Sequence, residues 1–553
     1  MKAMFLLLCL LTCSPHPARL FAKDLPPGVD PFSVHEYLGH LRFLSHDLLE
    51  GRGTGTRGMA LCSAYLGAQF EHLGLIPVEG LKGYQQRVEL TGFRTDYASM
   101  EVRLIGPNGA TTVQPLEEIC LSGERQEQSV HIEESDLLFV GYGIEAPEYK
   151  WDDFKGMDVA DKILVCLVND PDEKKCRFGT PSMTYYGRWA YKLEMARRKK
   201  ARGIILIHHD EEATYGWAVV RNSWSGERVH FADSKDLPLG VQGWISHEAL
   251  NRALAGTRLG YPLLKKKAES RRFKPFLLPV NLTARFNQTV RSADCTNTLA
   301  MIPGSDPKLK HEVVLYTAHA DHLGLGLPDG LGDTIYNGAS DNASGTAALL
   351  CLARAFRQNP VKPGRTLVFM AVTGEELGLL GSTWFVNHPP FPLEHIAVVI
   401  NKDCMNHFGR RNRFSAFPVE YSSALEEVRQ IGREQGLELQ TMGIDRSGGA
   451  FRSDHFPFAA RGIPALSLFM EGDVTSRSKE ELEAARQAVG ETYHQPGDEI
   501  HEAWVYDGTM QELNLLYRLG RHWADGAPKP VLNATGKSPY RSTQRWYGLV
   551  PDE

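Results

Sequence analysis

The spacing of apolar residues changes twice along this chain and predicts three regions of different structure. In residues 31–95, apolar side chains recur every three or four positions, which is the spacing of one face of a helix. A first helix would carry Leu38, Leu41, Leu44 and Leu48 on that face, and a second would carry Leu66, Phe70 and Leu73. We therefore expect this region to be mainly helical.

The middle region, residues 96–275, has short apolar runs separated by turns. Residues 163–168 and 204–207 are unbroken apolar runs, and such runs suit buried strands. Residues 186–202 lie between them and have the pattern of a helix. A small mixed α/β domain is expected here, and the basic run at 265–274 marks its end.

In residues 278–527, apolar runs alternate with helical stretches. Four of these runs are short and mostly apolar, which is typical of parallel strands buried on both faces. They are residues 313–316, 367–370, 397–400 and 465–469. The predicted fold class is therefore α/β, with a mainly parallel, doubly wound sheet flanked by helices. The segment 528–553 is rich in Pro, Ser, Thr and Arg and is predicted to be a tail that need not be ordered.

The N-terminus has the composition of a secretory signal peptide. Lys2 precedes the apolar run 4–11, which is too short to span a membrane, and Ala22 supplies a small residue for cleavage. We expect residues 1–22 to be removed and the product to be secreted or periplasmic. A lipid anchor on Cys13 is a weaker alternative, because Thr12 is a poor residue before such a cysteine. No later segment approaches the roughly 18 unbroken apolar residues of a membrane helix.

Length, charge and cysteine usage narrow the class further. With 553 residues the chain is too long for a single core. A formal net charge of -6 and short basic runs do not favour nucleic acid as a partner. The cysteines are scattered singly, with no Cys-x-x-Cys pair, which argues against a zinc ribbon or a redox site and predicts mostly buried free thiols.

Residue types that bind metals follow the end of each predicted strand in the last region. His319 and Asp321 follow 313–316, Glu375 and Glu376 follow 367–370, Asp403 follows 397–400, and His494 comes after 465–469. Asp341 lies in the glycine turn Gly338-Ala-Ser-Asp341 at the start of a helix. Ligands bind beyond the carboxyl ends of the strands in open α/β sheets. The coincidence at all four strand ends predicts a metal site.

The candidate residues supply enough ligands for two metal ions. Two imidazoles and three carboxylates, one of them bridging, give each ion three protein groups; these are His319, Asp341, Glu376, Asp403 and His494. Nitrogen and oxygen ligands without cysteine suit a pair of catalytic Zn²⁺ ions. Hydrolysis also needs a base, and of the adjacent Glu375 and Glu376 one can coordinate while the other acts on water. The sequence contains no His-Glu-x-x-His, which excludes a helix-borne single-zinc protease.

Together these motifs resemble the co-catalytic dizinc aminopeptidases, a zinc exopeptidase superfamily that includes bacterial leucyl aminopeptidases and glutamate carboxypeptidases. The resemblance covers about residues 278–525 and, more loosely, the N-terminal helices. The matching stretches are His319-Ala-Asp321, Gly338-Ala-Ser-Asp341-Asn-Ala-Ser-Gly345, Thr373-Gly-Glu375-Glu376-Leu-Gly-Leu-Leu-Gly-Ser382, Asn401-Lys-Asp403, Ser453-Asp-His455 and Tyr493-His494.

The resemblance assigns the ligands by position. It implies that Asp341 bridges the two Zn²⁺ ions, that His319 and Asp403 hold one ion, and that Glu376 and His494 hold the other. In relatives the peptide bond after the bridging aspartate is cis, so the same is expected of the bond from Asp341 to Asn342.

The resemblance also assigns two residues that are not ligands. Glu375 matches the general base acting on a metal-bridging water, and Asp321 matches the carboxylate that orients the His319 ring. The family pattern has a tyrosine before Ser453-Asp-His455 that holds the oxyanion, and residues 448–452 contain none. The metal ions or another donor, such as Tyr336, are left for that role.

The middle region resembles the protease-associated domain that is inserted in many of these enzymes, on the stretch from Gly141 to Ile207. That resemblance implies a domain beside the active site that shapes access to it. Tyr185, Tyr186 and Trp189 would then line the mouth of the site or, as ordinary aromatic residues, pack in the core.

The predicted function is the removal of N-terminal residues from peptides by an exported dizinc aminopeptidase. A glutamate-carboxypeptidase-like enzyme is the first alternative, and Arg410, Arg411 and Arg413 offer it a basic pocket for a C-terminal carboxylate. A glutaminyl cyclase, which uses a single zinc, and a non-catalytic receptor-type protein are weaker alternatives, because His319 and every other expected ligand are present.

Overall fold

The computed structural model describes residues 31–171, 177–441, 443–532 and 539–548, and these residues build two large sheets with helices around them. The predicted signal peptide at 1–22 and the alternative lipid anchor at Cys13 lie outside the described residues. Within the described ranges, every helix is too short or too polar to cross a bilayer.

The strands, in chain order, are β1 Gln85–Val88, β2 Leu90–Gly106, β3 Gly109–Thr112, β4 Ile119–Ser122, β5 Ser129–Phe139, β6 Glu145–Ala146, β7 Trp151–Asp152, β8 Ile163–Leu167, β9 Gly203–His208, β10 Arg228–Phe231, β11 Val241–Ser246, β12 Phe276–Ser292, β13 Cys295–Ile302, β14 Val313–His319, β15 Gly324–Leu325, β16 Ile335–Tyr336, β17 Thr366–Val372, β18 Ile396–Asn401, β19 Arg411–Phe417, β20 Glu438–Leu439 and β21 Ala465–Val474.

The helices are α1 Val34–Leu44, α2 Arg57–His72, α3 Trp189–Arg198, α4 Asp210–Ala213, α5 Trp217–Ser225, α6 His247–Ala253, α7 Tyr261–Ala268, α8 Ser344–Gln358, α9 Leu380–Asn387, α10 Leu425–Glu434, α11 His455–Ala460, α12 Lys479–Val489, α13 Asp507–Ala524 and α14 Arg541–Trp546.

The first sheet, which we call sheet A, has the strand order β1-β13-β17-β14-β18-β21-β19-β20. Its central strands β17, β14, β18 and β21 all run parallel, whereas β13 and β19 pair antiparallel with β17 and β21. The carboxyl ends of the central strands therefore meet at one edge of the sheet. The predicted α/β fold with a mainly parallel central sheet is confirmed.

Sheet A is covered by apolar residues on both faces. Each strand contacts both layers because its successive side chains point to opposite sides. In β14, Val314 and Tyr316 pack with apolar residues of α1, α8 and α13. On the other face, Val313 and Leu315 belong to a cluster that includes Phe385 of α9 and Phe458 of α11. This double cover makes the strands apolar throughout, which is the pattern seen in the sequence.

The second sheet, sheet B, belongs to the inserted region. Its order is β10-β2-β12-β5-β8-β9-β11-β4, and β3 pairs with β2. The long strands β2 and β12 pair antiparallel along most of their length, so the strand that enters the insert and the strand that leaves it lie side by side. Sheet B therefore extends beyond the predicted limits 96 and 275, since β2 begins at Leu90 and β12 ends at Ser292, and the chain returns to sheet A with β13.

Other details differ from the expectation. Helix α1 ends at Leu44, so Leu48 lies beyond it and its side chain is 75% exposed rather than packed on the helix face. The segment 528–553 is not simply a tail, because α14 follows the fully buried Tyr540, whose hydroxyl donates to the carbonyl of Ala450. The six cysteines among the described residues are free thiols, and five of them are buried, as predicted.

Candidate metal centre

Asp341 lies between two histidines and presents one carboxylate oxygen to each. Its Oδ1 lies 3.2 Å from Nε2 of His319, and its Oδ2 lies 3.5 Å from Nε2 of His494. Asp403 Oδ1 lies 3.2 Å from the same nitrogen of His319, and Glu376 Oε2 lies 3.0 Å from the same nitrogen of His494. The five predicted ligands therefore form one cluster in which Asp341 is shared.

The turn around Asp341 is fixed by backbone hydrogen bonds. The N–H groups of Ser340 and Asp341 donate to the two carboxylate oxygens of Asp498 at 2.9 and 3.0 Å. Gly338 has φ +58°, and a Cβ there would clash with the ring of His322. The peptide bond from Asp341 to Asn342 is cis, as predicted. The carboxylate of Asp341 is thus held in one place although it lies in a turn.

The Asn342 side chain links this turn to the loop after β18. Its Nδ2 donates to the carbonyl of Lys402 at 3.0 Å, and its Oδ1 accepts from the N–H groups of Gly345 and Cys404. Because Asp403 lies between Lys402 and Cys404, these bonds fix the distance between two carboxylates of the cluster.

His319 is the last residue of β14 and is almost fully buried. Its Nδ1 lies 3.1 Å from the main-chain oxygen of Asp321 but 3.9 Å from the carboxylate Oδ1 of Asp321. The Asp321 carboxylate instead accepts from Thr54 Oγ1 and from the N–H of Glu375. Asp321 therefore contacts the His319 ring through its backbone, and its side chain holds the loop that carries Glu375.

Glu375 and Glu376 follow β17 and are placed differently. Both oxygens of Glu376 contact imidazoles, since Oε1 lies 2.6 Å from Nδ1 of His322 in addition to the contact with His494. Glu375 makes no ion pair shorter than 4 Å within the described chain, although one of its oxygens lies within 4.8 Å of a ligand atom of His319 and of Glu376. Glu376 is thus placed as a ligand, and Glu375 stands beside the cluster.

The electrostatics of the cluster separate these two glutamates. Burial, together with the carboxylates of Glu376 and Asp403, raises the pKa of Glu375 well above its usual value. Burial also opposes the charge of Glu376, but the nearby His494 and His322 lower its pKa to about 2. The carboxylates of Glu376 and Asp341 outweigh the effect of burial on His494 and raise the pKa of that imidazole to about 10. The negative potential of the cluster therefore favours a cation.

His494 is oriented by the inserted region. Its backbone has φ +56°, and its carbonyl accepts from Nδ2 of Asn222 at 2.9 Å. Ser223 Oγ lies 2.9 Å from Nδ1 of the His494 ring. Both partners lie on α5, so a helix of the insert directs Nε2 of His494 toward Asp341 and Glu376.

The residues present fit a pair of metal ions. Two groups of three residues each bring their ligand atoms within 4.8 Å of one another. One group is His319, Asp341 and Asp403, and the other is His322, Asp341 and Glu376. Nε2 of His494 is buried and has hydrogen-bond geometry to neither carboxylate near it, and Nε2 of His322 is also buried without a partner among the described residues. Imidazole nitrogens and carboxylate oxygens are the ligands that Zn²⁺ accepts at catalytic sites.

Sequence reasoning missed three residues of this site. His322 directly follows the recognised His319-Ala-Asp321 motif, and its proximity to that motif was the available signal. Asp498 follows His494 by four residues and holds the backbone of the Asp341 turn. Ser223 lies in no motif and 271 residues from the histidine it contacts, so the sequence carried no signal for it.

The tyrosine proposed as a substitute oxyanion donor is otherwise engaged. Tyr336 is 1% exposed, and its hydroxyl donates to the carbonyl of Leu327 at 3.1 Å. The hydroxyl is therefore committed to the loop between β15 and β16.

A cleft of about 380 Å³ leads from the cluster to the insert, and Glu375, Glu376 and His494 lie in its wall. Of the aromatic residues expected near its mouth, Tyr185 and Trp189 line it. Tyr186 is 2% exposed and donates to Glu148, so it is a core residue. The insert therefore forms one wall of the cleft.

Comparisons with known proteins agree with this geometry. Residues 297–517 match the sequence profile of Peptidase family M28. Leupeptin-inactivating enzyme 1 of Streptomyces exfoliatus is 31% identical over 252 residues, which cover 44% of this chain and 52% of that protein. Aminopeptidase YwaD of Bacillus subtilis (strain 168) is 28% identical over 257 residues, which cover 45% of this chain and 48% of that protein. The chain thus spans about half the length of the curated relatives it matches.

Among solved structures, the aminopeptidase from Aneurinibacillus sp. strain AM-1 aligns with 91% of this chain and 95% of its own, with a TM-score of 0.53 and 15% sequence identity. At that identity the likeness shows a shared fold. Over residues 297–517, the family match agrees with the resemblance to the zinc exopeptidase superfamily that the motifs predicted. The protease-associated character of the insert stays a prediction.

Proposed function

Because residues 297–517 match Peptidase family M28, we propose that this chain is a zinc-dependent aminopeptidase that holds two Zn²⁺ ions at the Asp341 cluster. One observation carries the proposal: the two oxygens of Asp341 face two different imidazoles, and each imidazole has a second carboxylate beside it. A carboxylate in that position suits a bridge between two cations.

The assignment of ligands follows the contacts. His319 and Asp403 would hold one ion, Glu376 and His494 the other, and Asp341 both. When bound, a zinc pair lowers the pKa of a water molecule and acts as a Lewis acid toward the scissile carbonyl. His322 lies close enough to Glu376 to orient it or to join the second ion's ligands.

Glu375 is the proposed general base. Its N–H is held by Asp321, and its side chain lies in the cleft wall beside the cluster without being part of a ligand trio that shares Asp341. From there it takes a proton from the attacking water and returns it to the leaving amine. A carboxylate that serves this role must not itself be tied up as a ligand, and Glu375 meets that requirement better than Glu376.

Two observations favour the amino-terminal reaction over the carboxypeptidase alternative. Two of the curated relatives that match this chain are named as aminopeptidases. The arginines that supported the alternative do not line the described cleft: Arg410 is exposed, and Arg411 donates to the carbonyl of Gly472 in β21. The gathering of all five ligand candidates also disfavours a single-zinc cyclase and a receptor without metals.

The test is a release assay on one peptide in three forms, free, N-acetylated and C-amidated, each with and without a chelator. The proposal expects cleavage of the free and amidated forms, no cleavage of the acetylated form, and loss of activity with the chelator. Equal cleavage of the acetylated peptide would contradict the aminopeptidase assignment, and full activity in the chelator would contradict the metal.

Export is a second part of the proposal, and residues 1–22 support it. Mass spectrometry of protein recovered outside the cytoplasm should give a mature N-terminus close to Ala22. A lipid-modified Cys13 at the N-terminus would favour the anchored alternative, and retention of residues 1–22 on the active protein would contradict both.

A further inference from the structure

Two arginines from different parts of the chain lie in the wall of the cleft. Arg188 precedes α3 in the insert, and Arg452 lies in the catalytic part just before α11. Both line the same cleft as Glu375, and the rings of Tyr215 and Tyr493 lie beside them. The cleft thus has two positive charges within the space that leads to the metal cluster.

Neither arginine forms a salt bridge with a carboxylate among the described residues. Arg188 has a single weak contact, from Nη1 to the carbonyl of Ser447 at 3.5 Å. Arg452 donates from Nη2 to the hydroxyl of Tyr493 at 3.1 Å, and its guanidinium lies 5.8 Å from the centre of the Tyr215 ring. Most of the ten N–H donors of the two groups are therefore without an acceptor in the part of the chain that the structure describes.

A carboxylate that acts electrostatically on Arg188, that of Asp445, is already engaged in hydrogen bonds elsewhere. Asp445 accepts from the N–H and the hydroxyl of Ser447 and from the N–H of Ala450. It therefore stabilises its own loop and leaves the guanidinium of Arg188 unpaired.

Placing the two arginines together in a partly closed cleft has an electrostatic cost. Burial, and then the charge of Arg452, lowers the pKa of Arg188 to about 10. Two like charges in a cleft with no carboxylate hydrogen-bonded to either are unfavourable, and an anion bound between them lowers that cost. Guanidinium groups bind carboxylates through two parallel hydrogen bonds, which adds direction to the attraction.

We propose that Arg188 and Arg452 together form a carboxylate-binding subsite, and that the preferred substrates are peptides with a carboxylate near the scissile bond. This inference rests on the proposed peptidase function and adds the substrate class. Two sources supply the same chemistry: the free C-terminus of a short peptide, and an acidic side chain close to the N-terminus.

The structure also suggests the competing role against which the subsite must be tested. Arg452 acts electrostatically on Glu375, so it contributes to the potential at the general base. A role limited to that potential would affect all substrates alike, whereas a subsite affects only those with a carboxylate.

The experiment compares kcat/KM of the zinc-loaded enzyme for Leu-Ala, Leu-Ala-amide and Leu-Glu-amide. The wild type is expected to prefer Leu-Ala over Leu-Ala-amide by about 10- to 100-fold if the C-terminus is read, since a hydrogen-bonded charge contributes this much. If an acidic side chain binds at the subsite, kcat/KM for Leu-Glu-amide should instead exceed that for Leu-Ala-amide by this factor. Equal values for all three substrates would overturn the proposal.

Variants then assign the effect to the two arginines. Arg188→Gln and Arg452→Gln should each bring the ratio close to 1, and Arg188→Lys should leave an intermediate ratio because it keeps the charge and loses the fork. Arg410→Gln, a surface arginine outside the cleft, is the matched control and should keep the wild-type ratio. If Arg452→Gln lowers kcat/KM equally for all three substrates, Arg452 acts through the potential at Glu375, and the subsite is overturned.

A binding measurement separates failure of the subsite from failure of the proposed function. Calorimetry with N-acetyl-Ala-Ala, N-acetyl-Ala-Ala-amide and N-acetyl-Ala-Glu-amide needs no turnover. Binding of either carboxylate-bearing peptide at least 10-fold tighter than N-acetyl-Ala-Ala-amide, lost in Arg188→Gln, supports the subsite even if no peptide is cleaved. Equal affinities for all three peptides would overturn it even if the enzyme is an active aminopeptidase. Unchanged melting temperatures of the variants would show that they are folded.

Discussion

Ser223 gives the sharpest test of how the insert contributes to the metal centre. Its hydroxyl lies 2.9 Å from Nδ1 of His494, and the contact is shielded from solvent because His494 is 7% exposed. If Nε2 is the metal ligand, Nδ1 carries the proton and donates it to the serine, which fixes the tautomer and the ring orientation. We therefore expect Ser223→Ala to weaken zinc binding without removing a ligand.

The size of the effect follows from that single bond. Loss of one buried hydrogen bond costs about 1–3 kcal/mol. At about 1.4 kcal/mol per factor of ten, this corresponds to roughly a 5- to 150-fold weaker affinity for the ion held by His494, close to the 10- to 100-fold range for partners of metal ligands.

The assay is competition for Zn²⁺ against a chromophoric chelator, followed by activity at saturating zinc. Ser225→Ala is the matched control, because Ser225 lies on the same helix and donates only to the carbonyl of Asn222. The control should bind zinc like the wild type. Identical zinc affinity in all three proteins would refute the orienting role of the insert, and an equal loss in both variants would assign the effect to the stability of α5.

Three further predictions test other parts of the structure. Glu375→Gln should lower kcat about 10²- to 10⁴-fold with zinc content unchanged, while Glu480→Gln on exposed α12 serves as its control; unchanged kcat would rule Glu375 out as the base. His322→Gln removes the 2.6 Å contact with Glu376 and should weaken zinc binding about 10-fold or more, whereas unchanged affinity in the competition assay would make His322 a packing residue. Burial, and then Lys402, lowers the pKa of His407 to about 3. Between about pH 6.5 and pH 3 only the unfolded state therefore gains this proton, and the free energy of unfolding decreases as the pH is lowered. In urea unfolding with chelator, lowering the pH from 7.5 to 5 should reduce the free energy of unfolding of His407→Gln by about 2 kcal/mol less than that of the wild type, and equal reductions would contradict the shift.

The placement of the candidate ligands could be predicted well because the signals for it are local. His319 ends a strand, and Asp403 lies two residues beyond one, so apolar runs alone placed them at one sheet edge. The glycine turn likewise marked Asp341 as a carboxylate in a fixed position. Once strand ends are known, the parallel topology brings such residues together without further information.

The rest depended on contacts between distant segments. The limits of the insert are set by the pairing of β2 with β12, and each strand taken alone gives no sign of the other. Leu48 fits the apolar period of α1, but the helix ends before it. The basic run from Arg410 to Arg413 suggested a pocket, whereas the arginines in the cleft, Arg188 and Arg452, lie singly in the sequence and come together only in the fold.

The count of zinc ions in the purified protein tests the central claim most directly. Shared use of Asp341 predicts two Zn²⁺ per chain by elemental analysis after dialysis, about one in His319→Ala, and close to none in Asp341→Ala. One ion per chain in the wild type, or two retained in Asp341→Ala, would contradict the account.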